Sequence, residues 1–312
     1  KSIYSLLHGG AAECQKIVEH PFLRGIGFTG SRTAGFSILA KAYERERPLD
    51  EISLEMGSVN PIFFYTGAFK ERPQERAEMV ARSVLLGGGQ FCTNPGILIG
   101  PFSTEGSEFV THLSSIIEQA ELPVMLSEKI ASNFENRIDT LCRVSGVEKV
   151  SESKMTPEGG IRIRPTLLAC DVSAFMNEEN LKEEIFGPAT ILVDCDPTQF
   201  ENVVKLFDGE LTSSLHGTEQ DWSTSHSLID TLQEKSGRII FNGVPTGVEL
   251  CDSLNHGGPW PSALGRFTSV GPTAINRWTR PICFQNAPTM LLPSMLGEDL
   301  PQDDLNIYVF LK

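Results

Sequence analysis

The sequence has no excess of basic residues, no long apolar run and no metal-binding signature, and each absence excludes a class of protein. The 312 residues carry a formal net charge of −14, which disfavours nucleic acid and anionic membranes as partners. No apolar stretch approaches the roughly 20 residues that a membrane helix needs. The HExxH pattern is absent and the six histidines are scattered, so no metal site is predicted.

Paired cysteines are also missing. The chain has seven cysteines, an odd number, and no two of them form a CxxC motif. This pattern is not that of a disulfide framework, and it favours a reducing compartment. We therefore expect a cytoplasmic protein.

Strand-like and helix-like segments alternate along the chain, which is typical of an α/β fold with mostly parallel sheets. Hydrophobic residues make up 40% of the sequence, enough for a sizeable core. Strands are predicted for RGIGFTG, DEISLEMG, RPTLLACDV, ATILVDC and GRIIFNG. Helices are predicted for SRTAGFSILAKAYERER, PQERAEMVARSVLL, GSEFVTHLSSIIEQA and STSHSLIDTLQEKS.

The segment from Gly25 to Gly30 matches the letters GxGxxG. In a dinucleotide fingerprint these glycines follow a strand, whereas here the apolar strand residues lie inside the motif. We therefore expect a strand that ends at Thr29, followed by a helix that Gly30 and Ser31 open, with Ser31 as its N-cap. This turn either offers backbone N–H groups and a hydroxyl to an anion or is an ordinary connection.

Cys92 follows three consecutive glycines in the stretch LLGGGQFCTNPG. A nucleophilic thiolate needs access and a lowered pKa. The glycines would let the backbone approach a ligand closely, and nearby N–H groups would help to hold an oxyanion. The alternative is an inert buried cysteine, since free cysteines are commonly buried.

Two acidic stretches are further candidates. Glu55 ends an apolar strand in LEMGSVNP, where a desolvated carboxyl would have a raised pKa and could act as a general base. The alternation of the strand equally allows an outward-facing residue. In EEIFGP, Glu184 and Phe186 precede a Gly-Pro break. This stretch is either a loop that presents both side chains to a ligand or the end of a helix.

The stretches FTGS, LEMGSVNP, GGGQFCTNPG and EEIFGP, in this order, resemble the aldehyde dehydrogenase superfamily. The resemblance covers essentially the whole chain. It implies a three-layer α/β fold with a partial Rossmann-like cofactor domain and an α/β catalytic domain. The stretches FNGVPTGVEL, HGGPWPS, RFTSVG and RPICFQN look closest to the 2-oxoglutarate semialdehyde dehydrogenase branch, which also contains NADP-dependent fatty aldehyde dehydrogenases.

The resemblance implies roles for two catalytic residues. Cys92 would attack the aldehyde carbon to form a thiohemiacetal, and its own backbone N–H would help to hold the oxyanion. Hydride would leave to the nicotinamide, and Glu55 would activate the water that hydrolyses the resulting thioester.

The resemblance also implies NAD or NADP as cofactor. Gly30 and Ser31 would face the phosphates, and Thr29 would lie close to the nicotinamide. Glu184 would hold the nicotinamide ribose, and Phe186 would flank the ring. The residues that select between NAD and NADP are not expected within this sequence.

The family pattern further implies the organisation of the chain. Residues 1–57 would be the remnant of the cofactor domain, residues 58–278 the catalytic domain, and residues 279–312 a tail with a strand used for assembly into a homodimer or homotetramer. Because family members carry a long segment before the FTGS turn, we interpret the chain as the C-terminal part of a larger enzyme. Alone, it would bind dinucleotide poorly and turn over slowly.

Several alternatives remain open. The substrate implied first is 2-oxoglutarate semialdehyde, with Arg266 and Arg280 as candidate cations. A long-chain fatty aldehyde is the second, with Phe91, Phe267 and Trp260 as candidate lining.

Two alternatives come from other classes of protein. One is a non-catalytic, oligomerising remnant. The other is a thiol protease, which would need a histidine near Cys92; His112 is the nearest in sequence.

Overall fold

The computed structural model describes residues 3–157 and 159–293. The chain divides into two compact units, Lys1–Arg277 and Trp278–Lys312. In the second unit the described part contains one 3₁₀ turn, Thr289–Leu291. Residues 279–293 form no strand, and residues 294–312, the rest of the predicted assembly tail, lie outside the described residues.

The first unit contains the strands β1 (Gly25–Thr29), β2 (Glu51–Glu55), β3 (Ile62–Phe64), β4 (Ile97–Gly100), β5 (Val147–Glu152), β6 (Thr166–Asp171), β7 (Ala189–Asp194), β8 (Glu210–His216), β9 (Ser236–Phe241) and β10 (Ala263–Leu264). Its α-helices are α1 (Ala11–Glu19), α2 (Arg32–Tyr43), α3 (Gly67–Lys70), α4 (Pro73–Leu85), α5 (Ser107–Gln119), α6 (Glu128–Leu141), α7 (Val172–Asn177), α8 (Phe200–Val204), α9 (Glu219–Trp222) and α10 (His226–Lys235).

The strands form two sheets. The larger sheet has the order β5-β6-β7-β4-β3-β8-β9, and all neighbours are parallel except β5 and β6. The smaller sheet has the order β1-β2-β10, in which β1 is parallel and β10 antiparallel to β2. This architecture confirms the predicted α/β class with mostly parallel strands.

The larger sheet is the middle of three layers. Because side chains alternate along a strand, Phe63 of β3 faces one apolar cluster while Ile62 and Phe64 face another. Helices α6, α7, α8 and α10 contribute to the cluster of Phe63, and α4 and α5 contribute to the opposite one. Burial on both faces explains why the central strands β3, β4 and β7 and their neighbour β6 are mostly apolar.

Each locally predicted strand and helix has a counterpart among these elements. Strands β1, β2, β6, β7 and β9 and helices α2, α4, α5 and α10 coincide with predicted segments. The hydroxyl of Ser31 accepts a hydrogen bond from the Ala34 N–H at 3.3 Å, which confirms the predicted N-cap of α2. Among the described residues, no helix combines the length and apolar character needed to cross a membrane.

Candidate active site

The loop that carries Cys92 begins where α4 ends. A 3₁₀ turn, Leu86–Gly89, leads out of the helix, and Gly88 and Gly89 have φ angles of 69° and 65° that favour glycine. A Cβ at Gly89 would lie 2.2 Å from the Gly187 carbonyl oxygen. The predicted reason for this glycine was the approach of a ligand, but its close neighbour is the backbone of the EEIFGP loop.

Two buried asparagines fix the Cys92 loop. The Asn60 amide donates to the carbonyl oxygens of Cys92 and Asn94, both at 2.9 Å. The Asn94 amide in turn donates to the Gly187 carbonyl oxygen at 3.1 Å. Asn60 is fully buried and has a φ angle of 48°, which an asparagine tolerates better than most residues. The loop is therefore held from both sides by side-chain amides.

Glu55 ends β2 and is buried, with 7% of its surface exposed. The outward-facing alternative for this residue is therefore wrong. The reason is tertiary: β10 pairs with the end of β2 and places Ala263 opposite Glu55. The chain on either side of β10 then supplies two partners, because His256 Nε2 lies 3.1 Å from Glu55 Oε1 and Ser269 Oγ donates to Oε2.

Cys92, His256 and Glu55 form a compact triangle. Cys92 Sγ lies 3.4 Å from His256 Nε2, and the ligand-type atoms of all three residues lie within 4.8 Å of one another. His256 is 8% exposed, and its backbone is held by the Thr268 hydroxyl and by the Ser269 N–H at 2.9 and 2.8 Å. The thiol itself is half-buried, so a small molecule can still approach it.

The electrostatics of the triangle differ from both sequence predictions. Burial raises the pKa of the Cys92 thiol to about 12, and the negative charge of Glu55 acts in the same direction. The predicted lowering of this pKa is therefore wrong for the isolated protein. Burial alone would raise the pKa of Glu55 as well, but hydrogen bonds with His256 and Ser269 outweigh it and lower that pKa. The predicted raised pKa of Glu55 is thus also wrong.

The shifts of these two pKa values define the protonation states of the site. At neutral pH, Cys92 is a thiol and Glu55 a carboxylate, so the nucleophile must lose its proton to a neighbour. His256 Nε2 contacts both groups, and one nitrogen cannot accept from the thiol while it donates to the carboxylate. A protease triad uses opposite ring nitrogens for these contacts. The geometry therefore does not favour the thiol protease alternative.

The electrostatic coupling gives a prediction for chemical labelling. Replacing Glu55 with glutamine removes a negative charge near Cys92, which lowers the pKa of the thiol. We expect alkylation of Cys92 by iodoacetamide at pH 8 to accelerate, because each unit by which the pKa falls increases the thiolate fraction about tenfold. Mass spectrometry of the Cys92 peptide measures the rate. Glu51→Gln, on the same strand, is the matched control, and an unchanged rate in Glu55→Gln would contradict the coupling.

The turn between β1 and α2 lies where the sequence predicts it, and its cofactor role stays a prediction. Strand β1 ends at Thr29, which is exposed, and α2 begins at Arg32. The Gly30 N–H is not free, because it donates to the Glu55 carbonyl oxygen at 3.0 Å. The Ser31 hydroxyl is occupied by the cap. At the start of α2, the N–H groups of Arg32 and Thr33 precede the first intrahelical bonds and are oriented for an anion.

The EEIFGP stretch is a loop between the 3₁₀ turn Glu179–Lys182 and β7, and not the end of an α-helix. Glu184 packs over Gly57, where a Cβ would lie 2.5 Å from Oε2. Burial raises its pKa to about 7, partly offset by the Ser58 backbone. Its charge also acts on Cys92. Phe186 is 37% exposed. The cofactor roles of both residues stay predictions.

Glu210, at the start of β8, supports the site from the larger sheet. Its carboxylate is 2% exposed and accepts hydrogen bonds from the Ser58 hydroxyl at 2.6 Å and from the Val59 N–H at 2.7 Å. The Asn60 N–H is a weaker donor at 3.3 Å. Since Asn60 holds the Cys92 loop, Glu210 links the larger sheet to the nucleophile. Burial raises the pKa of Glu210 to about 7.

Glu210 gives a prediction for stability against pH. A carboxyl whose pKa rises from 4.5 in the unfolded chain to about 7 on folding stabilises the protein when protonated. Its contribution is complete below about pH 4.5 and is lost as the pH rises to about 7, by roughly 3 kcal/mol. Glu210→Gln keeps an oxygen acceptor but cannot ionise. The free energy of unfolding is measured with denaturant at pH 5 and at pH 8. At pH 8 the variant should therefore be more stable relative to the wild type than it is at pH 5. Glu234→Gln, on the exposed face of α10, should show no such difference.

The residues of the site that the sequence did not reveal include His256, Ser269 and Glu210. His256 lies in HGGPWPS and Ser269 in RFTSVG, stretches that served only to identify the family branch. They lie 201 and 214 positions from Glu55, so no local spacing connects them. Glu210 lies in the polar segment DGELTSSLHG, which offers no local signal for a buried carboxylate.

Most of the candidate substrate residues are exposed: Arg266, Arg280, Phe91 and Phe267. Trp260 stacks on Phe36 of α2 with ring centroids 4.8 Å apart.

Two other side chains bear on the earlier alternatives. His112 pairs with Glu78 of α4 at 3.5 Å, whereas it is His256 that contacts Cys92. Arg238 of β9, which the sequence does not single out, is half-buried and donates to the Pro245 carbonyl oxygen at 2.7 Å. Burial lowers its pKa, and negative charge on Cys92 acts in the opposite direction. The Nε of Arg238 has no hydrogen-bond partner among the described residues.

The fold and the site define an α/β protein with a buried cysteine–histidine–glutamate centre. The profile of the aldehyde dehydrogenase family matches residues 1–281, and the chain belongs to this family. It is 34% identical over 302 residues to alpha-ketoglutaric semialdehyde dehydrogenase 2 of Azospirillum brasilense, covering 96% of this chain and 57% of that protein. It is 36% identical over 289 residues to alpha-ketoglutaric semialdehyde dehydrogenase of Acinetobacter baylyi, covering 91% and 54%.

Solved structures agree on the fold. The crystal structure of an NAD-dependent aldehyde dehydrogenase from Sinorhizobium meliloti aligns with a TM-score of 0.70 at 21% identity, covering 86% of this chain and 51% of that one. A bifunctional proline utilization A protein aligns with a TM-score of 0.73 at 20% identity, covering 86% and 27%. These matches confirm the predicted aldehyde dehydrogenase-like fold. The chain spans a little over half the length of the two curated relatives.

Proposed function

We propose that the protein oxidises an aldehyde to a carboxylic acid with NAD or NADP, through a thiohemiacetal and a thioester on Cys92. The observation that carries this proposal is the triangle of Cys92, His256 and Glu55. It places a thiol, an imidazole and a carboxylate base within one centre. Aldehyde, oxidised cofactor and water are consumed, and carboxylate, reduced cofactor and two protons are formed.

The first step is attack by sulfur. The Glu55 carboxylate, which forms a hydrogen bond with the thiol, takes the thiol proton as the C–S bond forms, while His256 Nε2 donates to the same carboxylate. The Cys92 backbone N–H already faces its own sulfur and lowers the thiol pKa, so it is placed to stabilise negative charge nearby. Since burial disfavours a free thiolate, deprotonation is coupled to attack rather than preceding it.

The second step is hydrolysis of the thioester. The lowered pKa of Glu55 keeps it ionised at neutral pH, as a base must be. Ser269 holds one carboxylate oxygen, which leaves the other directed toward His256 and the sulfur. Water activated there would attack the thioester carbon and release Cys92 as the leaving group.

The residues present fit a dinucleotide. The N-terminus of α2 offers backbone N–H groups for a pyrophosphate, and Thr29 lies at the open end of β1. We propose that Gly30 and Ser31 lie against the phosphates, that Glu184 binds the nicotinamide ribose and that Phe186 flanks the ring. When bound, the nicotinamide accepts the hydride that the aldehyde carbon must lose. The choice between NAD and NADP stays open.

For the substrate we propose 2-oxoglutarate semialdehyde. The names of the two curated relatives support this, as does Arg238, a half-buried cation whose charge couples to Cys92. A guanidinium near the thiol would bind the carboxylate of such a substrate. We further propose a homodimer or homotetramer that resides in the cytoplasm, where the seven free cysteines would remain reduced.

The test measures reduced cofactor formed by the complete protein with 2-oxoglutarate semialdehyde and with a long-chain alkanal. We expect a preference for the semialdehyde. Arg238→Leu should lower kcat/KM for the semialdehyde by about 10–100-fold, because a charged hydrogen bond is lost. The variant should leave kcat/KM for the alkanal unchanged. Arg266→Leu is the exposed control. A preference for the alkanal would favour the fatty aldehyde alternative, and no oxidation of any aldehyde would favour a non-catalytic remnant.

A further inference from the structure

The catalytic triangle has the dimensions of a metal site. Cys92 Sγ and His256 Nε2 lie 3.4 Å apart, and His256 Nε2 and Glu55 Oε1 lie 3.1 Å apart. A tetrahedral Zn²⁺ with bonds of about 2.0–2.3 Å separates its ligand atoms by roughly 3.4–3.6 Å. Sulfur and carboxylate lie within 4.8 Å of each other. Adjustments of a few tenths of an ångström in the first two separations, and a closer approach of sulfur and carboxylate, would place all three atoms around one ion.

The donor set selects the metal. A thiolate, an imidazole and a carboxylate together favour Zn²⁺ over Mg²⁺ or Ca²⁺, which prefer oxygen ligands alone. Three protein ligands with a fourth position left for water is the pattern of an open zinc site.

The surroundings of the ligands suit metal binding. The Ser269 hydroxyl holds Glu55 Oε2, which leaves Oε1 directed at the triangle. The backbone of His256 is fixed at both its N–H and its carbonyl, by Thr268 and Ser269. Outer contacts of this kind orient ligands before the metal arrives and so raise the affinity of a site.

We propose that Cys92, His256 and Glu55 form a reversible inhibitory site for Zn²⁺. The Cys92 thiol releases its proton to solvent as the S–Zn bond forms, and no group is oxidised or reduced. His256 binds through neutral Nε2, with its proton on Nδ1. The sulfur is then no longer available to an electrophile. The sequence predicted no metal site because positions 55, 92 and 256 share no local spacing.

The first experiment uses the wild-type complete protein with its thiols reduced. Competition with a chromophoric chelator measures Zn²⁺ binding, and mass spectrometry of the Cys92 peptide measures alkylation by iodoacetamide. We expect Zn²⁺ to slow alkylation of Cys92 at least tenfold, with recovery after EDTA, whereas Mg²⁺ should have no effect. Equal alkylation with and without saturating Zn²⁺ would overturn the proposal. Neither readout depends on aldehyde oxidation, so the proposed function can fail without affecting this result.

Variants separate this site from adventitious binding. His256→Asn removes a ligand and should weaken Zn²⁺ binding by more than about 100-fold. Ser269→Ala removes the hydroxyl that orients the ligand Glu55 and should weaken binding by about 10–100-fold. His112→Asn and Cys142→Ser are matched controls and should bind as the wild type does. With Co²⁺ in place of zinc, a thiolate-to-metal charge-transfer band should appear in the wild type and be absent in Cys92→Ser. Retention of that band in Cys92→Ser would assign the metal to another cysteine and refute the site.

Discussion

Cys92→Ala is expected to abolish aldehyde oxidation, with a loss of at least about 10⁴-fold in kcat/KM. Removing the nucleophile from an enzyme that works through a covalent intermediate removes the reaction path itself, and losses near 10⁶-fold are known for such changes. The fold should tolerate the change, because the Cys92 loop is held through backbone carbonyls by the amide of Asn60 and not through the thiol.

The measurement is steady-state formation of reduced cofactor, together with a thermal melt to verify folding. Cys142→Ala, at an exposed cysteine that follows α6, is the matched control and should retain full activity. Residual activity in Cys92→Ala within tenfold of the wild type would show that the reaction does not use this thiol.

His256→Asn is expected to have the second largest effect, a loss of about 10²–10⁴-fold, the usual contribution of a general acid–base group. The cause lies in Glu55, which loses the Nε2–H donor that helps to keep its pKa low and is then less ionised as a base. Since Glu55 remains buried, its pKa should rise in the variant.

The rise in the pKa of Glu55 distinguishes a catalytic role of His256 from a structural one. A base must be ionised, so raising its pKa moves the acidic limb of the pH profile of kcat/KM to higher pH. The variant should therefore lose more activity at pH 6 than at pH 9. His112→Asn should keep the wild-type profile, because His112 pairs with Glu78 in the helical layer. A uniform loss at all pH values would argue that His256 only supports the fold.

The sequence predicted the elements that depend on short-range signals. The Ser31 cap, the strand ending at Thr29 and the apolar strand β7 all follow from neighbours in the chain. The position of Cys92 and Glu55 as candidate catalytic residues came from their motifs, and the structure brings them to one centre. Their surroundings could not be predicted in the same way.

The failures have a common physical cause. Periodicity left the orientation of Glu55 open because its burial depends on pairing with β10, whose residues lie about 200 positions later. The pKa of Cys92 depends on enclosure by remote segments and on the charge of Glu55, which no local pattern encodes. Glu210 was missed for the same reason: its partners, Ser58 and Val59, lie about 150 positions earlier.

The wide separation of the site residues along the chain also has a consequence for biosynthesis. Cys92 precedes His256 by 164 residues. At typical rates of about 5–20 residues per second, the ribosome needs roughly 10–30 s to make that interval. During this time the nascent thiol lacks its histidine partner and the segment around β10 that helps to bury Glu55. It should titrate as an ordinary cysteine and is then open to oxidation or metal capture. The proposed nucleophile is thus most vulnerable before synthesis of the chain is complete.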